Sequence, residues 1–154
     1  KKWITMVKLT ESDKSYMEMV SLLTKLTDDN KTGVGALIVK NNTIISHGVN
    51  VLPNGAKKTK ERTESPLKRS WIIHAERDAI YKAAKAGISL DGSYMYCTYF
   101  PCVDCARGIV QSGIKRLYAP KPDFNHKRWG VSWVESIIMM RECGVEVIWT
   151  NEVV

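Results

Sequence analysis

Hydrophobic positions near the beginning of the chain recur every three or four residues. They are Tyr16, Met17, Val20, Leu23 and Leu26. Positions with this spacing share one face of an α-helix, and Ser12 and Asp13 each have a short polar side chain that can cap a first turn. The pattern therefore predicts an amphipathic helix that begins at Ser12 or Asp13.

Two β-rich runs follow this helix. Residues 32–39 (TGVGALIV) and 43–49 (TIISHGV) are rich in the side chains typical of strands. Asn41 and Asn42 lie between the runs, and asparagine tolerates the positive φ angles of tight turns. We therefore expect a β-hairpin.

Helical and β-rich segments alternate in the second half of the chain, with Gly87, Gly113 and Gly144 at the helix ends. The predicted order is helix 74–86, strand 94–98, helix 102–111, strand 114–119, helix 131–143 and strand 145–149. Strands that alternate with helices of this length indicate a layered α/β domain, with helices packed on a sheet. Residues 53–70 have no such period and predict a long loop, a feature that is usually functional or disordered.

Length and composition fit one globular domain over residues 1–154. Hydrophobic residues make up 44% and charged residues 25% of the chain, close to the averages of globular domains. No apolar run reaches the roughly 18 to 20 residues that cross a bilayer, and no secretory signal pattern opens the sequence. We therefore predict a cytoplasmic protein without membrane association, whose cysteines are reduced.

The net charge of +7 suits a polyanionic partner, either nucleic acid or a small phosphorylated substrate. Much of the excess lies in the predicted loop, at Lys57, Lys58, Lys60, Arg62, Lys68 and Arg69. Because Glu61 and Glu64 interrupt these cations, the loop is interpreted first as a solvated surface segment. Charge alone does not choose between the two kinds of partner.

Two short motifs combine metal-binding side chains with predicted helix starts. Residues 74–76 read His-Ala-Glu, and residues 101–105 read Pro-Cys-Val-Asp-Cys. Cys102 and Cys105 share a face at helical spacing, Pro101 suits a first helical turn, and a helix start favours thiolates. We expect the two motifs to converge on one Zn²⁺ ion held by His74, Cys102 and Cys105.

Three protein ligands leave a fourth position for water, which is typical of catalytic zinc. Glu76 need not be a ligand, because a carboxylate beside the water can take its proton and return protons to a substrate. The combination H-x-E with P-C-x-x-C is the signature of the zinc deaminases. Glu76 is therefore the predicted catalytic residue.

A structural zinc site is the less favoured interpretation of the same motifs. It would need a fourth ligand, for which Cys97, Cys143, His47 and His126 are the candidates. Cys97 alternates with its neighbours in a strand and Cys143 falls on the apolar side of a helix, so both are predicted to be small core residues. His47 is predicted to be a packed or solvent-facing strand residue.

With these motifs the chain resembles the cytidine/deoxycytidylate deaminase superfamily, and within it the deoxycytidylate (dCMP) deaminases. The resemblance covers about residues 21–149. The segments that carry it are residues 32–39, 48–50 with 53–55, 74–80, 95–98 and 101–106. It implies a cytidine-deaminase-like, three-layer α/β/α fold with a mixed five-stranded sheet, and a homo-oligomer whose interfaces help to shape the active site.

The resemblance also implies substrate contacts. Asn50 matches an asparagine that contacts the substrate, at its sugar, and the backbone of Ala75 meets the base. Phe100 is a candidate to stack on a pyrimidine, although an aromatic residue here is equally typical of a core. Trp129 and Trp133 are expected in the core or in a subunit interface.

The chain departs from the family pattern in two places. Residues 48–55 read GVNVLPNG where family members often read G-Y-N-G-x-P-x-G, so we do not expect the regulation by dCTP and dTTP that many dCMP deaminases show. Residues 27–31 lack a basic residue that is often found beside the family's Asp. Lys121, His126 and Arg128 are the candidates to supply positive charge to a substrate phosphate instead.

The leading functional hypothesis is hydrolytic deamination of a cytosine nucleotide, dCMP to dUMP. Zinc hydroxide would attack C4, Glu76 would protonate N3, and ammonia would leave. An alternative is deamination of adenosine or cytosine in tRNA or single-stranded nucleic acid, which the basic loop favours. A third alternative is a catalytically inactive zinc-binding module, against which the presence of Glu76 argues.

Overall fold

The computed structural model describes residues 7–152. These residues form six α-helices, one 3-10 turn and five β-strands. In chain order they are α1 (Glu11–Leu23), the 3-10 turn (Thr24–Leu26), β1 (Gly35–Lys40), β2 (Thr43–Val49), α2 (Lys60–Thr63), α3 (Lys68–Trp71), α4 (Ala75–Ala86), β3 (Tyr94–Cys97), α5 (Val103–Gln111), β4 (Arg116–Ala119), α6 (Gly130–Glu142) and β5 (Glu146–Trp149).

The strands form one mixed five-stranded sheet, as the resemblance implied. Their order is β2-β1-β3-β4-β5. The β1–β2 hairpin and the β1–β3 pair are antiparallel, whereas β3–β4 and β4–β5 are parallel. The predicted turn is confirmed, since Asn41 and Asn42 have φ angles of 51° and 59°.

Helices cover both faces of the sheet, so the three-layer fold is confirmed. On one face, α4, α5 and α6 pack on side chains such as Ile38, Met95 and Leu117. On the other, α1 packs through Val20 on a cluster that includes Leu37, Tyr96, Tyr118 and Ile148. Side chains alternate between the faces along each strand, and both clusters are therefore built from the same strands.

Several boundaries and exposures differ from the predictions. Thr10, rather than Ser12 or Asp13, caps α1, in a capping box with Asp13. The helix tightens into the 3-10 turn after Leu23, which rotates Leu26 off the buried face and leaves it 66% exposed. Cys143 is exposed rather than part of the core, because α6 ends at Glu142 and Cys143 lies beyond its last full turn.

The segment predicted as a loop over residues 53–70 contains the one-turn helices α2 and α3. The guanidinium of Arg62 stacks 3.8 Å above the ring of Trp71 and joins the two turns. Lys58 and Lys68 form ion pairs with Asp28 and Asp29. The segment is therefore fixed to the chain before β1 by contacts that its local pattern does not encode.

Among residues 7–152, no helix has the length and apolar character needed to span a membrane.

Candidate active site

The start of α4 lies close against β2. A Cβ atom on Gly48 would come within 2.1 Å of the Ala75 carbonyl oxygen and 2.4 Å of the Ala79 nitrogen, so only glycine permits this approach. The Asp78 carboxylate accepts a hydrogen bond from the Val49 N–H at 3.1 Å. These contacts fix the helix end that presents His74 and Glu76.

His74 is the N-cap residue of α4, and Glu76 lies in the first turn. The Glu76 side chain is buried, and burial raises the pKa of its carboxyl above the ordinary value. At the neighbouring helix start, Cys102 is the N-cap of α5 and Cys105 lies in its first turn. Pro101, predicted within the first turn, instead precedes the cap.

The geometry of the three predicted ligands fits a tetrahedral zinc ion. The Nδ1 atom of His74 lies 3.5 Å from Sγ of Cys102 and 3.6 Å from Sγ of Cys105. Tetrahedral zinc, with bonds of about 2.3 Å to sulfur and about 2.0–2.1 Å to nitrogen, separates sulfur from nitrogen by about 3.6 Å. The donor atoms therefore stand at the spacing that zinc requires.

The two cysteine thiols differ in their tendency to carry negative charge. A hydrogen bond from the Cys105 side chain, together with His74, lowers the pKa of Cys102 to about 4 although burial acts in the opposite direction. The same hydrogen bond raises the pKa of Cys105. The hydrogen bond with Cys102 raises the pKa of His74. Cys102 is thus the thiol that carries negative charge more readily, and a thiolate is the form of cysteine that binds a metal.

No fourth ligand joins this group among residues 7–152. Cys97 is buried in β3, where burial raises its thiol pKa, and His47 is exposed on β2. Cys143 is exposed after α6, and His126 lies in the loop before that helix. The donor set of one histidine and two cysteines is that of a catalytic site with an exchangeable fourth position.

Side chains of α6 hold the backbone on both sides of Cys102. The Trp133 Nε1–H donates to the Phe100 carbonyl at 3.1 Å, and the Ser136 hydroxyl donates to the Pro101 carbonyl at 2.9 Å. The Ser132 hydroxyl accepts from the Val103 N–H at 2.9 Å. Cys102 is therefore positioned by a helix that follows it by about thirty residues.

A cavity of about 220 Å³ opens onto the predicted metal site. His74, Glu76 and Cys102 line it, and Glu76 and Cys102 are buried. The other lining residues are Asp29, Thr32, Val34, Asn50, Lys68, Arg69, Ile72, Ala75, Tyr99, Phe100, Arg128, Trp129 and Trp133.

The structure brings four of the six substrate-binding candidates to this cavity, namely Asn50, Ala75, Phe100 and Arg128. Lys121 and His126 do not line it. The Lys121 ammonium pairs with Glu152 at 2.7 Å. Nδ1 of His126 lies 3.2 Å from the Arg128 and Trp129 nitrogens, whose N–H groups donate to it.

Asn50 is buried and ties together the segment that precedes β1. Its Oδ1 atom accepts from the Thr27 hydroxyl at 2.7 Å and from the Val34 N–H at 2.8 Å. Its Nδ2 group donates to the Thr32 carbonyl at 2.7 Å. The side chain therefore has a structural task besides any contact with a substrate.

Sequence reasoning missed several lining residues. Lys68 and Arg69 had been assigned to a solvated loop, and Asp29 had been named only within the segment 27–31, which lacks the basic residue often found beside the family's Asp. Trp129 and Trp133, expected in the core or an interface, also line the cavity. Local patterns gave no signal for this, because segments far apart in the sequence form the wall.

Comparison with known proteins agrees with the site. Residues 10–120 match the family model described as the cytidine and deoxycytidylate deaminase zinc-binding region. A protein of Aliivibrio fischeri named an uncharacterized deaminase in the luxG 3′ region is 37% identical over 138 residues, which cover 88% of this chain and 91% of that protein.

Two further relatives have more specific names. The deoxycytidylate deaminase of Enterobacteria phage T2 is 45% identical over 76 residues, which cover 49% of this chain and 37% of that protein. The crystal structure of a dCMP deaminase from cyanophage S-TIM5 in complex with dCMP and dUMP is 30% identical with a TM-score of 0.75, and the match covers 94% of this chain and 100% of that one.

The family match covers most of the chain, and the structure supplies a His/Cys/Cys group able to bind the metal that the family's zinc-binding region describes. The chain therefore belongs to the cytidine and deoxycytidylate deaminase family, and it is a zinc-dependent hydrolytic deaminase.

Proposed function

We propose that this deaminase converts dCMP to dUMP and releases ammonia. The observation that carries the proposal is a single cavity lined by two of the predicted zinc ligands, His74 and Cys102, by the buried Glu76 carboxylate and by two arginines. Relatives named deoxycytidylate deaminase, and the cyanophage enzyme described with dCMP and dUMP, support this choice of substrate.

The proposed chemistry needs a nucleophilic water and a proton carrier. Zinc held by His74, Cys102 and Cys105 would supply water that is nucleophilic at neutral pH. Glu76 takes a proton from that water and delivers protons to N3 of the base and to the leaving amino nitrogen. The C4–O bond forms, the C4–N4 bond breaks, and one water is consumed for each ammonia released.

Other residues of the cavity would hold the nucleoside. One Nδ2 hydrogen of Asn50 is engaged by Thr32, so the second is the one available to a sugar hydroxyl. Ala75 lies at the first position of α4, where helical N–H groups are free to meet the base. Phe100 lines the cavity, but its side chain is only 3% exposed and belongs to the core cluster, so it would form part of the apolar wall rather than a ring free to stack on the pyrimidine.

An ammonia-release assay on the zinc-loaded protein tests the proposal. The substrates are dCMP, dCTP, deoxycytidine, cytidine, adenosine and tRNA. We expect release from dCMP with the highest kcat/KM. A zinc-loaded protein that releases no ammonia from the cytosine compounds would show that the proposed function is wrong.

The structure gives less support to a nucleic-acid substrate. Lys58 and Lys68 of the basic segment are engaged by Asp28 and Asp29, and this reduces the charge available to a phosphate backbone. We therefore expect no salt-sensitive gel shift with tRNA and no inosine formation. Tight binding at low salt that weakens steeply with added salt would instead favour the tRNA alternative.

We also propose a homo-oligomer that works in the cytoplasm. The outer face of α6 carries exposed apolar residues at helical spacing, with Val131 82% and Ile138 50% exposed. Exposed apolar side chains that are contiguous often mark a subunit interface. Light scattering on the purified protein gives the oligomer size, and a monomeric mass would contradict this part.

A further inference from the structure

The charged side chains that line the cavity divide into two groups. Besides His74 at the metal site, the cations are Lys68, Arg69 and Arg128, and the anions are Asp29 and Glu76. Glu76 is buried and belongs to the predicted catalytic group. The remaining charges decide which group of a substrate the wall of the cavity can bind.

Lys68 and Asp29 engage each other. The Lys68 Nζ atom lies 2.8 Å from Oδ2 of Asp29, and the side chains are only 17% and 10% exposed. The other carboxylate oxygen of Asp29 accepts hydrogen bonds from the Lys31 and Thr32 N–H groups at 2.8 and 3.1 Å. Burial alone would raise the pKa of Asp29, but these donors outweigh burial and lower it. Lys68 is therefore balanced by a charged partner.

Arg69 and Arg128 have no such partner in the part of the chain that the structure describes. Within residues 7–152, neither guanidinium forms an ion pair or a side-chain hydrogen bond, and both side chains are exposed. Arg69 belongs to α3, whereas Arg128 belongs to the loop before α6, where its guanidinium lies 5.0 Å from the ring centre of Trp129. Two uncompensated cations thus reach the same cavity from separate segments.

We propose that Arg69 and Arg128 form a clamp for the 5′-phosphate of the substrate. This inference rests on the proposed function, because it places the base at Glu76. Glu76 is buried whereas Arg69 and Arg128 are exposed, so a nucleotide with its base at Glu76 would have its phosphate toward the two arginines. Guanidinium groups suit it, because their planar donors bind phosphate oxygens in pairs.

The Lys68–Asp29 ion pair positions Arg69 for its part in this clamp. It connects α3 to the segment before β1, which Asn50 holds in place. Arg69 is the next residue after Lys68, and its position on the cavity wall follows from that anchor. Lys68 thus positions the segment, and the adjacent Arg69, which has the same charge, binds the phosphate.

Kinetics on paired substrates tests the clamp. The Arg69→Gln and Arg128→Gln variants are compared with the parent protein on dCMP and deoxycytidine. Arg141→Gln, on α6 outside the cavity lining, is the matched control. We expect each cavity variant to lower the ratio of kcat/KM for dCMP to that for deoxycytidine by about 10- to 100-fold, since a charged hydrogen bond contributes about 1.5–3 kcal/mol. The control should leave the ratio unchanged.

Calorimetric measurement of product binding tests the clamp without turnover. We expect each cavity variant to weaken binding of dUMP at least tenfold more than binding of deoxyuridine. Equal losses for both compounds, or no loss, would overturn the clamp. A parent protein that deaminates no cytosine compound would overturn the proposed function, and the dUMP titration would still decide the role of the two arginines.

Discussion

At the scale of single residues, Glu76 and its neighbour His74 have different predicted roles. His74 joins the metal-binding group, whereas Glu76 lies beside that group in the cavity and is not a member of it. Cys102 and Cys105 complete the donor set. Metal binding and proton transfer should therefore respond differently to substitution.

A Glu76→Gln variant should keep its zinc and lose turnover. Glutamine has nearly the same shape but cannot accept and return protons, so we expect kcat to fall by about 10²- to 10⁴-fold. Metal analysis and ammonia release measure the two properties. Asp104→Asn, an exposed carboxylate beside Cys105, is the control and should change neither. Turnover within a few-fold of the parent would contradict the role of Glu76.

An Asn50→Ala variant should be less stable as well as less active. The substitution removes the hydrogen bonds of the Asn50 side chain with the Val34 N–H and the Thr32 carbonyl, and each such hydrogen bond contributes about 0.5–1.5 kcal/mol. Denaturant unfolding measures the loss of free energy of unfolding. A variant with unchanged stability and a raised KM would show that Asn50 serves the substrate alone.

At the scale of elements, α6 positions the metal site without supplying a ligand. Its Ser132, Trp133 and Ser136 side chains bond to backbone groups of residues 100–103. Groups that orient a ligand in this way commonly change metal affinity when they are removed. The packing of α6 on the sheet is thereby linked to zinc binding at α5.

A Ser136→Ala variant should bind zinc about tenfold more weakly, since loss of an orienting group commonly costs about 10- to 100-fold in affinity. Competition with a chromophoric chelator measures the affinity. The matched control is Ser112→Ala, which removes a similar hydroxyl-to-carbonyl hydrogen bond at the other end of α5. Equal affinities for the two variants would show that α6 does not position Cys102.

At the scale of the whole molecule, the metal site joins the starts of α4 and α5, while the two hydrophobic clusters are built around the sheet. The sulfur ligands belong to neither cluster. The sheet and its helices should therefore persist when the metal is removed, with the loss concentrated at the site.

Removal of zinc by a chelator should lower Tm and leave the secondary structure in place. A metal that binds only the folded chain stabilises it by mass action, and a loss of about 2 kcal/mol corresponds to roughly 4–8 °C in a chain of this size. Calorimetry and circular dichroism measure the two effects. His74→Ala should abolish the chelator response, whereas Cys143→Ser should retain it. An unfolded zinc-free chain would contradict the expectation.

The sequence by itself predicted the four longer helices, the five strands and the residues of the expected metal site. Periodicity predicts these elements because each buries one face, although boundaries shifted, as at the Thr10 cap of α1, and the one-turn helices α2 and α3 were not predicted. The spacing of His74, Glu76, Cys102 and Cys105 carries chemical information because each motif is local to one helix start.

Only the tertiary structure decided what surrounds that site. Lys68 meets Asp29 across 39 positions of the chain, and Ser136 meets Pro101 across 35. Arg69 and Arg128 come to one cavity, while Lys121 is drawn to Glu152. A charged side chain can face solvent, form an ion pair or line a cavity. The sequence pattern around it is the same in all three cases. The choice depends on which distant segment packs beside it.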